Sequence, residues 1–75
     1  MPSSVHSAKY KRFLTRLRQA RQNAGMTQTE AARAFRKPQS FVSKCESGER
    51  RVDAIELQRF AELYGWSVMD FLEDA

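Results

Sequence analysis

Gln39 and Ser43 stand four residues apart, as do Ser40 and Lys44, so all four side chains fall toward one side of an α-helix. Their types suit the reading of base edges. A glutamine amide can bond adenine N6 and N7 together, and a lysine ammonium can donate to guanine O6 and N7. The same residues would also make an ordinary solvated helix face. Lys37, Arg50 and Arg51 flank the segment. Such cations can hold phosphates on either side of a groove, contacts that position a protein without reading sequence; the other reading is a solvated charge cluster.

Other chemistries lack their parts. Cys45 is the only cysteine and His6 the only histidine among 75 residues, so one chain can close no disulfide and assemble none of the usual four-ligand zinc sites. A hydrolytic triad needs a base near its nucleophile, and His6 lies in the N-terminal tail. There is no glycine-rich phosphate loop and no row of aromatics on a basic surface for stacking RNA bases. The expectation is therefore a protein that is not an enzyme, with no metal, cofactor or small-molecule substrate. Cys45 reads as a core residue.

Charge is unevenly distributed. Residues 1–51 hold twelve Lys and Arg against three acids (Glu30, Glu46 and Glu49), whereas residues 52–75 hold Arg59 against six acids. The net charge of +4 thus conceals a basic part followed by an acidic one, the pattern of a polyanion-binding face backed by a different surface. Ordinary solvated helix charge is the alternative. No apolar run approaches the roughly 20 residues that cross a bilayer, and Met1–Ala8 lacks the apolar stretch of a secretory signal. With its unpaired cysteine, the chain is expected in a reducing cytoplasm, in contact with the chromosome and with no membrane partner.

The elements that must position these residues are short helices. Residues 1–8 read as a flexible N-terminal tail and 9–75 as one helical domain. Tyr10, Phe13, Leu14, Leu17 and Ala20 form one apolar face, and Gly25 ends that first helix in a left-handed cap. Thr27 and Glu30 have capping-box spacing at the start of a second helix, whose inner face is Ala31, Ala32 and Phe35. Arg36 and Lys37 make a turn. Pro38 suits the first position of a third helix, in which Phe41, Val42 and Cys45 face inward, and Gly48 stops it. Asp53 and Glu56 repeat the capping box, with Val52 and Leu57 as a hydrophobic staple. Ile55, Leu57, Phe60, Ala61, Leu63 and Tyr64 fill a fourth helix that ends at Gly65. Ser67 and Asp70 open a fifth, carrying Val68, Met69, Phe71 and Leu72. Trp66 and Met69 could be core or dimer surface.

Two short helices joined by a minimal turn form a helix-turn-helix, whose second helix enters the major groove. The stretches Leu17–Arg21, Ala24–Ala32, Pro38–Gly48 and Leu57–Gly65, in that order and spacing, make the chain resemble the lambda-repressor-like, Xre-type helix-turn-helix family from about Tyr10 to Leu72. The resemblance implies an all-α, compact five-helix bundle in which Gln39, Ser40, Ser43 and Lys44 contact base edges. It implies that Gln28 bonds a phosphate and braces the first side chain of the reading helix, with Thr27 beside it in the phosphate-facing set, and that Arg21 meets Glu46. Two positions depart from the family. Arg36 stands where a turn glycine is usual, and Lys37 stands where an apolar plug is usual, its stem able to lie over the core while its amine reaches outward. The implied function is a transcription regulator, a repressor of bacterial or phage type, binding double-stranded DNA as a homodimer. The alternative is an antitoxin or restriction-control type of protein-interaction module whose role a partner protein sets.

Overall fold

The computed structural model describes residues 7–72. Its elements are α1 (Ala8–Asn23), α2 (Gln28–Ala34), α3 (Gln39–Ser47), α4 (Ala54–Tyr64) and α5 (Val68–Leu72). The all-α, five-helix expectation therefore holds. Most helix starts carry a side-chain cap for backbone N–H groups that have no partner within the helix. Ser7 Oγ accepts from the Tyr10 N–H at 3.1 Å. Thr27 and Glu30 form a reciprocal capping box, as do Asp53 and Glu56, and Ser67 exchanges the same pair of bonds with Asp70.

Two boundaries move. Because Ser7 caps α1, Ala8 is already helical, so the first helix starts one residue ahead of the expected Lys9. The rest of the expected tail, His6 included, lies outside the described residues. Pro38 is the residue before α3 rather than its first member, with φ −69° and ψ 159°, an extended conformation that offers the helix no side-chain cap.

The core is aromatic. Phe35 at the end of α2, Phe41 of α3 and Phe60 and Tyr64 of α4 pack together, with ring centroids 4.5 Å apart for Phe35–Phe60 and 5.3 Å for Phe35–Phe41. Fully burying one such ring is worth about 1.5–3 kcal/mol. Ala20 of α1 and Ala31 and Ala32 of α2 are buried in the same core, where a larger side chain would force the surrounding helices apart. At the other end Phe71 of α5 lies edge-on to Phe13 of α1 and 5.0 Å from Trp66. This assigns Trp66 to the core margin, while Met69 is 60 % exposed. Ile55, expected to help fill α4, is 66 % exposed. It lies five residues before Phe60, about 140° around the helix from it at 100° per residue.

Candidate nucleic-acid interface

The turn between α2 and α3 fixes how the two helices meet. Arg36 has φ +55°, left-handed backbone that costs a non-glycine residue about 1 kcal/mol. This conformation lets the Arg36 N–H reach the Arg33 carbonyl and the Lys37 N–H reach the Ala32 carbonyl, each at 3.0 Å. Those bonds satisfy carbonyls at the end of α2 and reverse the chain. Glycine, present in this conformation as Gly25 after α1 (φ +72°), would adopt it without a Cβ penalty. Lys37 is exposed, with Nζ 6.0 Å from the centre of the Phe41 ring, so its stem covers the core and its charge stays outside.

The two sides of α3 differ sharply. Phe41, Val42, Cys45 and Glu46 are buried, whereas Gln39, Ser40 and Lys44 are exposed and Ser43 is half-buried. Burial raises the pKa of the Cys45 thiol, as suits a core cysteine.

Glu46 is a buried carboxylate with three polar neighbours. Arg21 meets it with two prongs, Nε donating to Oε2 at 2.6 Å and Nη2 to Oε1 at 3.1 Å. The third prong, Nη1, donates to the Met26 carbonyl at 2.9 Å. Arg18 stands 3.7 Å from Oε1. The side chains of Arg21 and Glu46 are 11 % and 1 % exposed, so this pair is shielded from solvent. Hydrogen bonding to Glu46 raises the pKa of the Arg21 guanidinium further.

From Glu46 a relay runs outward. Gln28 Nε2 donates to Glu46 Oε1 at 3.0 Å, and Gln39 Nε2 donates to Gln28 Oε1 at 2.6 Å. The polarity follows from the carboxylate, which only accepts. It draws the NH2 of Gln28 inward and leaves the Gln28 carbonyl for Gln39. Gln39 then keeps its carbonyl oxygen and a second N–H for another partner. This acceptor and donor form the set that pairs with adenine N6–H and N7.

The cations expected at phosphates have different surroundings. Arg50 is engaged within the protein: Nη1 and Nη2 donate to the two Glu56 oxygens at 2.8 Å each, and the guanidinium carbon lies 4.9 Å over the Phe41 ring. Glu56 raises the Arg50 pKa and Arg50 lowers that of Glu56. The Arg50 guanidinium therefore already has a carboxylate partner, one that the expectation of a phosphate contact there did not include. The sequence hid this partner, since Glu56 has a complete local role in the capping box. Arg51 lies over the Tyr10 ring at 5.0 Å, and the Tyr10 hydroxyl accepts from the Val52 N–H at 3.1 Å. Thr27 spends its N–H and a hydroxyl lone pair on Glu30, which leaves the hydroxyl proton to offer. Among the described residues no group of His, Cys, Asp and Glu could hold a metal ion, and no helix is long and apolar enough to cross a membrane.

A short helix, a turn through positive φ and a second helix with a polar outer row together define a helix-turn-helix. The comparisons agree. A family model described as a helix-turn-helix domain matches residues 12–70. The solved structure of an XRE-family like protein from Pseudomonas syringae pv. tomato str. DC3000 is 43 % identical, covers 92 % of this chain and 84 % of its own, and superposes with a TM-score of 0.81. No curated protein matches the chain. The chain belongs to the helix-turn-helix family and is of the Xre type, a class of DNA-binding transcription regulators.

Proposed function

We propose that this protein is a sequence-specific regulator of bacterial or phage type that binds double-stranded DNA as a homodimer and represses by occupying a promoter. In this reading α3 lies in the major groove, with Gln39, Ser40, Ser43 and Lys44 toward base edges. Thr27, Gln28, Lys37 and Arg51 face phosphates on either side, and Arg50 does not. Two protomers would read half-sites about 10 base pairs apart.

The observation that carries the reading is the relay from Arg21 through Glu46 and Gln28 to Gln39. Its inner end is buried and its outer end is exposed on α3. A solvated helix face has no need of an orienting chain of this kind. A reading head benefits, because a side chain held in place beforehand loses less freedom on binding. The exposed Ile55, Met69 and Leu72 give a second copy apolar surface to cover.

Selection of bound fragments from random duplex DNA tests the proposal. A consensus with two half-sites is the expected result, and Gln39→Ala should weaken binding to it with little change in Tm. Recovery of no preferred sequence, or unfolding of Gln39→Ala, would overturn it.

A further inference from the structure

The relay holds the N-terminal end of α3, and a separate latch holds the other end. Arg50 is its centre. Its backbone N–H donates to the carbonyl of Lys44 in α3 at 3.1 Å. Its guanidinium covers Phe41, also in α3, at 4.9 Å. Nη1 donates to the Arg51 carbonyl in the loop at 3.1 Å. Both terminal nitrogens reach Glu56 in the first turn of α4 at 2.8 Å, and Glu56 Oε1 also accepts from the Asp53 N–H at 3.1 Å. One side chain thus joins α3, the loop after it and the start of α4.

We infer that Arg50 is a positioning residue for DNA reading: held by Glu56, it fixes α3 and the loop 48–53 as one rigid unit, so that Ser43 and Lys44 meet base edges at a set angle. The inference rests on the DNA-binding reading above. Its support is the use already made of the guanidinium. Both Nη1 hydrogens are committed, to Glu56 and to the Arg51 carbonyl, and one flat face lies on Phe41. A phosphate approaching Arg50 would compete with a carboxylate that the capping box holds in place. A planar fork is also the geometry that a lysine cannot reproduce.

Arg50→Lys separates the alternatives, since it keeps the charge and loses the fork and the stacking. Affinity for a selected duplex and for a random one would be followed by fluorescence anisotropy across a salt series, well below each variant's Tm. Expected is a loss of about tenfold in the preference for the selected duplex for Arg50→Lys and again for Glu56→Gln, with the double variant little worse than either, as coupled partners behave. The salt slope should stay that of the wild type. A structural role alone would lower Tm and leave the preference intact. The inference is overturned if Arg50→Lys and Glu56→Gln keep the wild-type preference. It is equally overturned if Arg50→Met flattens the log–log salt slope by about 0.9, the mark of one lost phosphate contact. A wild type that prefers no duplex would overturn the DNA reading itself, and this inference with it.

Discussion

Truncating Arg21 to methionine keeps much of its stem and removes the guanidinium. Glu46, with a side chain 1 % exposed, would then retain the Gln28 amide at 3.0 Å and Arg18 at 3.7 Å. It would lose charged bonds of 2.6 and 3.1 Å. Breaking a buried ion pair by removing one partner costs about 3–5 kcal/mol, and the two remaining neighbours favour the lower figure of about 3 kcal/mol. A domain of 75 residues has a total stability of about 4–11 kcal/mol. At about 4–8 °C per kcal/mol in this size range, Arg21→Met should lower Tm by about 12–24 °C. The double variant Arg21→Met/Glu46→Leu removes both charges together. It should return to within about 1 kcal/mol of the wild type or exceed it, because apolar replacements of buried pairs are often neutral or better. Far-UV circular dichroism on heating, with urea titration to check that the m-value is unchanged, measures both. A drop below about 4 °C for the single variant, or a double variant as unstable as the single one, would refute the reasoning. The restored double variant should still read DNA poorly, since the Gln28 amide would have lost the carboxylate that orients it.

Three further outcomes follow from individual residues. Arg36→Gly relieves about 1 kcal/mol of positive-φ strain and costs about 0.5–1 kcal/mol in the extra unfolded-state freedom of glycine, so it should be neutral or stabilise by up to about 0.5 kcal/mol; a clear fall in Tm would show that the arginine side chain contributes more than the strain removes. The Tyr64 hydroxyl is buried with no hydrogen-bond partner among the described residues, and burial pushes its pKa upward. Tyr64→Phe should therefore leave Tm unchanged or raise it, by up to about 1–3 kcal/mol of relieved desolvation; clear destabilisation would reveal a partner. Glu56 has its carboxyl pKa lowered, first by the hydrogen bonds from Arg50. Its contribution is present above the unfolded carboxylate value of about 4.3 and is lost as pH falls through the lower folded value. The Tm advantage of wild type over Glu56→Gln should accordingly be seen at pH 7 and vanish in acid, and a gap that persists at pH 2 would contradict the assignment.

Much of the fold was legible because the signals act over three or four residues. Thr27 with Glu30 and Asp53 with Glu56 meet as soon as their own turns form, so pattern alone located the starts of α2 and α4. The positive φ at Arg36 was signalled only by the resemblance, which puts a glycine at that position, since an arginine by itself gives no sign of it. The family resemblance, and not spacing, suggested that Arg21 meets Glu46 and that Gln28 braces Gln39, pairs separated by 25 and 11 positions.

What the residues determined by themselves was local: where helices begin and end, and which side of each is apolar. Packing decided the rest, because contacts across a loop depend on where whole helices come to lie. It brought Arg18 to Glu46 and set Arg50 against Glu56. A capping glutamate looks the same in sequence whether or not an arginine six residues earlier folds back onto it, and only the closed loop brings their charges within bonding distance.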